Sequence, residues 1–569
     1  MQAPPVQAVP PVLVDIDLYS TASAFPHQRL WQSSMGSGHA QLGTRVDWRS
    51  HLAQARADLG ISGVRMHGFL DDDMSVASSA SSFHFYNIDL VTDHLVSLGL
   101  HPIFELDYMP RALAKCKDPS HCYYAFHNRG GYKGLVEPPA DYAQWHALIH
   151  TLGKHLLDRY GIDELRNWRF EVWNEPCPWI GGVDYPAQYE PLYNASATAL
   201  KSVHPQLQVG GPATATLMHL VDFATRATWG GVTRGSPHRA GRMPLDFLSS
   251  HFYPSEHNCT DAKQPLGADP DCFVKTVLAA SARVAAARAA AGAPHVPFYL
   301  TEFNSGLQGG PGTGEAGPHT DTSYAAAFAI RTIPMLASGG AGVGGSGLVD
   351  LASWWTFSDL LDEGWLTGVP FYGGFGLLNS QGVPKPSYRA FELLRGAGTA
   401  RLVEGVKLVD SAPDYPTIAN HSTVSVLVTV DGEGGGGGRV SGAGPPTTHR
   451  GLQIFLANFA PMAGASGAPW ATPKPRNVSL TLQVGKDGAC TPPRRALLRR
   501  IDDVSTAPRA AWESMGSPTY PNTEQLAALH KASEVPEETV QLAQPSACAA
   551  TLGPIEVPAY GIVHIGTFE

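Results

Sequence analysis

A chain of 569 residues is too long for one hydrophobic core and predicts two or three domains. Its 43% hydrophobic and 16% charged residues are those of a folded protein, and a formal net charge of −10 without a basic stripe excludes nucleic acid as a partner. No run of about eighteen apolar residues occurs, so no membrane-spanning helix is expected.

Residues 1–10 are a Pro-rich leader, and Val12–Leu18 alternates as a half-buried strand with no helix after it. A strand this early belongs to a neighbouring domain's sheet, so residues 1–27 are assigned to a later β-domain. From residue 28 to 396 strand and amphipathic helix alternate. Expected strands lie near Leu30–Met35, at Gly60–His67, Pro102–Leu106, the run ending at Glu175, Gln208–Pro212, Leu245–His251, Val296–Asn304 and Leu348–Phe357. Helices are expected at Ile88–Leu98, Asp141–Tyr160, Phe273–Ala291 and Thr322–Leu336, among others. About eight such units predict an α/β fold, a (β/α)₈ TIM barrel with insertions. An open doubly wound sheet fits less well, because no Gly-x-Gly-x-x-Gly follows the first strand. Over residues 397–569 the helices thin out. Alternating runs at Thr423–Val430, Leu452–Phe459, Val478–Val484 and Ile562–Ile565 predict a C-terminal β-sandwich accessory domain, with Gly434–Gly438 as a loop within it.

The chain starts Met1-Gln2-Ala3-Pro4-Pro5 without a charged-then-apolar leader, so either the protein is not exported or a signal peptide has been removed. Cysteines and sequons favour removal. Cys116/Cys122, Cys259/Cys272 and Cys490/Cys548 are plausible disulfides with Cys177 left over, and Asn194, Asn258, Asn420 and Asn477 head sequons. A secreted, lysosomal or vacuolar glycoprotein is the expectation.

The chemistry centres on Phe170-Glu171-Val172-Trp173-Asn174-Glu175-Pro176, read as a buried strand delivering an amide and a carboxylate to a sheet edge. Burial beside Trp173 raises a carboxyl pKa and suits a proton donor. A second strand-terminal acid, Glu302, ends Val296–Asn304, and two such glutamates are what glycoside chemistry requires. All barrel strands open their C-terminal ends on one face. That face would also hold His67, Glu105, Asn174, His251, Tyr253 and the Trp354-Trp355-Thr356-Phe357 strand end, with Glu363 in the loop beyond. Aromatic rings lie against sugar C–H faces, and Asn, His and Tyr hold hydroxyls. Duller roles are open to several: Glu105 as a buried partner of Arg65, the histidines as core residues, one of Trp354 and Trp355 as packing behind the wall.

Trp173-Asn174-Glu175-Pro176 and Thr301-Glu302-Phe303-Asn304 resemble the acid/base and nucleophile motifs of retaining (β/α)₈ glycoside hydrolases. More narrowly the chain resembles glycoside hydrolase family 39, which holds β-xylosidases and α-L-iduronidases. The resemblance rests on Gly36-Ser37-Gly38-His39, Val64-Arg65-Met66-His67-Gly68, Phe104–Pro110, Trp355–Asp359 and Phe371–Leu378, and extends to Arg500–Asp503 and Ala511–Pro518. It implies a retaining double displacement with Glu302 as nucleophile, Glu175 as acid/base and Asn174 on the sugar 2-hydroxyl, the two carboxyl groups about 5–5.5 Å apart. It implies no cofactor and no metal, since His and Cys show no ligand spacing. His67, Asn174, His251, Tyr253, Trp355 and Glu363 are the expected substrate contacts. No Lys or Arg follows His251 in Phe252-Tyr253-Pro254, which favours an exo-acting β-D-xylosidase over an α-L-iduronidase, with β-galactosides or β-glucosides as further alternatives. The remote alternative is a carbohydrate-binding protein without turnover. The Cys116–Lys133 and Asn258–Asp271 insertions are both expected on the active face.

Overall fold

Eight parallel strands close a barrel in strict chain order. In the computed structural model they are β1 (Ser34–His39), β2 (Gly63–His67), β3 (His101–Glu105), β4 (Arg169–Glu171), β5 (Gln208–Thr214), β6 (Phe247–His251), β7 (Phe298–Phe303) and β8 (Leu351–Trp354). The structure describes residues 10–18, 24–26, 28–125, 132–177, 182–228, 243–254, 270–307, 319–337, 348–363, 367–411, 422–431, 451–461, 473–485, 490–566 and 568–569. Every residue of β1, β2, β6 and β7 is buried, because helices cover the outside while side chains fill the inside.

The covering helices form for local reasons. In Tyr142–Tyr160, Trp145, Leu148, Ile149, Leu152 and Leu156 recur at helical spacing and are buried. Its first turn is capped by the Asp141 carboxylate, which accepts from the Ala143 N–H at 2.8 Å. Helix Val46–Leu59 stops at Gly60, whose φ of +71° is the left-handed cap glycine adopts without strain.

Two strands differ from their expected positions. The first was expected near Leu30–Met35, but Leu30–Gln32 is a 3₁₀ turn that buries Leu30 and Trp31. The strand itself is Ser-Met-Gly-Ser-Gly-His, which has no apolar run to reveal it. The first of its two glycines is sterically required: a Cβ on Gly36 would stand 2.4 Å from the Trp355 ring. The second is β4, whose ladder ends at Glu171 rather than reaching Glu175. Trp173 and Glu175 take φ of +67° and +48°, so the chain turns out of the strand before the Asn-Glu pair.

Strand Val12–Asp17 lies between Val406–Val409 and Arg476–Gln483, in a five-stranded sheet completed by Ala549–Val557 and Ala543–Ser546. A seven-stranded sheet runs Glu537–Gln541, Arg495–Ile501, Ile562–Gly566, Gln453–Asn458, Val424–Val430, Ala400–Leu402 and Ala24–Pro26. Buried residues of both, such as Val14, Leu480, Ile454 and Val563, form one sandwich core. The sandwich is fastened to the barrel by aromatic packing of Tyr324 and Phe328 on Phe459, and by Arg331, which pairs with Asp271 at 2.7 Å and donates to the Thr423 carbonyl at 2.8 Å.

Disulfides join Cys116 to Cys122 and Cys490 to Cys548. Cys259 lies outside the described residues, as do Asn258, Asn420 and the Gly434–Gly438 run. Of the other sequons, Asn477 is exposed on its strand and Asn194 is half-buried on a helix. Among the described residues no helix is long and apolar enough to cross a membrane.

Candidate active site

At the C-terminal end of the barrel, Arg65 of β2 is fully buried and organises its surroundings. Its Nε donates to Glu171 Oε2 at 2.7 Å, Nη1 to Glu302 Oε2 at 3.1 Å and Nη2 to Asn174 Oδ1 at 3.0 Å. Glu105 Oε2 lies 3.1 Å from Nη2. A guanidinium cannot lose its proton here, so burying it demands carboxylates. Burial opposes ionisation of Glu105, but Arg65 and His67 outweigh it and hold its pKa below the ordinary value. We expect Arg65→Met to cost about 3–5 kcal/mol in urea unfolding, because it strands buried carboxylates without a counter-charge. A loss of activity with unchanged stability would show that the guanidinium's structural part is small.

Glu175 and Glu302 approach each other from β4 and β7. The Glu175 backbone N–H donates to the Ala213 carbonyl at 2.9 Å, which fixes the turn beyond β4 to β5. His251, at the end of β6, stands between the acids with Nδ1 2.8 Å from Glu175 Oε1 and 3.5 Å from Glu302 Oε2. One carboxylate oxygen of each glutamate and a His251 ring nitrogen all fall within 4.8 Å of one another. Tyr253 donates to Glu302 Oε1 at 2.5 Å.

Burial pushes Glu175 up to about 7 against the nearby charges of His67 and Arg65. Glu302 is also raised by burial and by Glu175, with His251 acting the other way. Burial lowers His251 to about 4, so at neutral pH its ring is uncharged, with Nδ1 facing the two acids. His67 behaves oppositely: burial disfavours its charge, but Glu105 at 2.9 Å outweighs burial and raises its pKa well above the usual value. Its Nε2 lies 3.4 Å from Glu363 Oε1, and its ring centroid lies 4.8 Å from that of Trp355. Trp355 shares a small apolar cluster with Tyr253, Leu361 and Phe375, whereas Trp354 packs behind the wall against Phe303 and Phe391.

Thus His67, Asn174, Glu175, His251, Tyr253, Glu302, Trp355 and Glu363 are brought into one contiguous site, and Glu105 is the partner of Arg65. Sequence reasoning missed Glu171, Tyr108 and the full reach of Arg65. Tyr108 accepts from Asn174 Nδ2 at 3.0 Å, which fixes the amide's orientation. A lone Arg inside an apolar strand was the available signal, since it must find several buried acids. Among the described residues three groups, His67/Glu105/Asp107, Glu175/His251/Glu302 and His39/Asp71/Asp73, have the donor types of a metal site. In the first, Arg65 already supplies a cation against Glu105, and Asp107 Oδ1 accepts from the Gly68 N–H at 2.7 Å, while Glu105 Oε1 and Asp107 Oδ2 are buried without a hydrogen-bond donor.

The model of the glycosyl hydrolases family 39 matches residues 13–433. A β-xylosidase of Caldicellulosiruptor saccharolyticus is 33% identical over 531 residues, covering 90% of each chain. The chain belongs to glycosyl hydrolase family 39. A β-xylosidase of Geobacillus stearothermophilus is 32% identical over 71% of this chain and 75% of that one, and human α-L-iduronidase is 28% identical over 37% and 31%. A solved family 39 enzyme from Xanthomonas axonopodis pv. citri superposes with a TM-score of 0.71 at 22% identity, covering 99% of both chains. A family 39 β-xylosidase from Caulobacter crescentus superposes with a TM-score of 0.67 at 24% identity over 97% and 99%. This family 39 member is therefore a glycoside hydrolase built on a closed parallel barrel with an accessory β-sandwich.

Proposed function

We propose that this enzyme is a retaining, exo-acting β-D-xylosidase in which Glu302 is the nucleophile and Glu175 the acid/base. The observation that carries the reading is the convergence of the two glutamates on His251, with an oxygen of each inside a 4.8 Å set. Nearest oxygens this close, bridged by one imidazole nitrogen, fit the short carboxyl separation of about 5–5.5 Å that lets one carboxylate attack directly.

In the first step a Glu302 oxygen forms a bond to the anomeric carbon as the glycosidic C–O bond breaks. Glu175 gives its proton to the departing oxygen. In the second, the Glu175 carboxylate takes a proton from water, whose oxygen bonds the anomeric carbon and releases Glu302. Arg65 Nη1–H and the Tyr253 hydroxyl hold Glu302 as a carboxylate. Once Glu302 is esterified its negative charge is gone, and Glu175 gives up its proton more readily to become the base. Asn174, fixed by Arg65 and Tyr108, is placed for the 2-hydroxyl.

The β-xyloside is favoured by the two β-xylosidase relatives and by the lack of Lys or Arg in Phe252-Tyr253-Pro254. A uronic acid needs a cation for its carboxylate, and the donors of Arg65 are already committed. The test is a set of 4-nitrophenyl glycosides. We expect the β-xyloside to be cleaved with the highest kcat/KM; preference for the α-L-iduronide would overturn the subfamily assignment, and no cleavage of any member would favour a binding-only protein. We also propose a secretory, lysosomal or vacuolar destination, supported by the two disulfides and the exposed Asn477 sequon. A glycosidase-sensitive mass shift in protein from its native cells checks it.

The pH profile follows from Glu175. Its carboxyl must be protonated for the first step, so kcat/KM should fall as pH rises through about 7.

A further inference from the structure

Behind the site, Lys385 is completely buried between two equally buried aspartates, and no proposed catalytic step uses any of the three. Its Nζ lies 2.6 Å from Asp321 Oδ1, 2.6 Å from Asp359 Oδ2 and 2.9 Å from the Gly374 carbonyl, so each of its three N–H bonds has an acceptor. The second oxygen of each aspartate turns to the same backbone segment. Asp321 Oδ2 accepts from the Gly373 N–H at 2.7 Å, and Asp359 Oδ1 from the Gly376 N–H at 2.7 Å. Three charged side chains thus fix Gly373, Gly374 and Gly376.

Glycine is required at that close approach. A Cβ on Gly374 would stand 2.3 Å from Asp359 Oδ1, and one on Gly376 would stand 2.2 Å from the Asp359 backbone nitrogen. Within the clamped segment sits Phe375, whose side chain is buried with Tyr253, Trp355 and Leu361. Its carbonyl accepts from Asn304 Nδ2 at 3.0 Å, two residues beyond Glu302 on the same chain. The segment therefore touches the Glu302 region twice, through Asn304 and through the ring that packs in the Tyr253 cluster.

We propose that the Lys385–Asp321–Asp359 triad is a positioning device that holds Phe375 in place, so that Tyr253 keeps its hydroxyl on Glu302. This rests on the reading of Glu302 as the nucleophile. Phe375 is the link, and Lys385, Asp321 and Asp359 act through it. A buried cation with two counter-ions is a costly way to anchor a loop that apolar packing could hold more cheaply. What it adds is direction: three N–H bonds and two carboxylates determine where each peptide group of the segment lies.

The test uses Phe375→Ala, Asp359→Asn and the double variant, each assayed on 4-nitrophenyl β-xyloside across pH, with a thermal melt of each. Asp359→Asn leaves one lysine facing one aspartate, but its single oxygen cannot serve both Lys385 and Gly376. If the triad acts through Phe375, each single variant lowers kcat more than it raises KM. Each also moves the acid limb of kcat/KM to higher pH, because a Glu302 carboxylate with a looser hydrogen bond is less favoured. The double variant then falls no further than the more damaged single one. An unmoved acid limb, or effects that multiply in the double variant, overturns the proposal. If Asp359→Asn fails to fold, the acid limb of Phe375→Ala alone decides in the same way. A separate control labels the wild type with a 2-deoxy-2-fluoro-β-xyloside. Label on a residue other than Glu302 would refute the catalytic assignment, whatever the triad variants do.

Discussion

Glu302→Gln lowers kcat/KM on 4-nitrophenyl β-xyloside by at least about 10⁴-fold, because an amide cannot form the glycosyl ester and no neighbour can replace it. The near-isosteric amide keeps its place. Arg65 Nη1, 3.1 Å from one carboxylate oxygen, can still donate to the amide oxygen, and the Tyr253 hydroxyl, 2.5 Å from the other, turns to accept from the new NH2. Stability moves the other way. Burial raises the Glu302 pKa, so the folded chain binds more protons than the unfolded one above the ordinary carboxylate range. Stability contributed by this group therefore falls as pH rises through that window, and removing the charge removes the penalty. We expect a melting temperature at pH 7 equal to or above that of the wild type, measured beside the kinetics. Hydrolysis within about tenfold of wild type would refute the nucleophile assignment.

Glu175→Ala separates the two half-reactions. A substrate with a poor leaving group, such as xylobiose, loses about 10²–10⁴-fold in kcat/KM without its proton donor. A 2,4-dinitrophenyl β-xyloside leaves without protonation, so its kcat/KM falls much less while its kcat falls with the missing base. Azide, which needs no deprotonation, should restore turnover and yield the β-configured xylosyl azide. The descending limb near pH 7 should vanish, because the group that burial raises to about 7 is gone. Equal losses on both substrates without azide rescue would move the proton transfer to another residue. Glu363 is then the next to test, since it lies 3.4 Å from His67 Nε2.

The barrel was legible because its helices carry their own periodicity and caps, as in Tyr142–Tyr160 with Asp141 at its head. The strands were legible where they are apolar, as in Phe298–Phe303, and hidden where close packing demands small residues, as in Ser34–His39 beneath Trp355. Both glutamates were visible as acids at the ends of apolar runs. The turn that carries Glu175 off β4 was not, because positive φ at Trp173 and Glu175 is imposed by the anchoring to Ala213 of the neighbouring strand.

Residue types and local order thus determined which groups reach the C-terminal face, since every parallel strand of a closed barrel delivers its last side chains there. What only the tertiary structure decided is how those groups share charge. Arg65 meets acids from β3, β4 and β7, His251 stays neutral between two glutamates, and Lys385 is clamped between Asp321 and Asp359, distant in sequence from the other two. The physical reason is that burial makes an unpaired charge too costly, so each pKa is set by partners that arrive from distant parts of the chain.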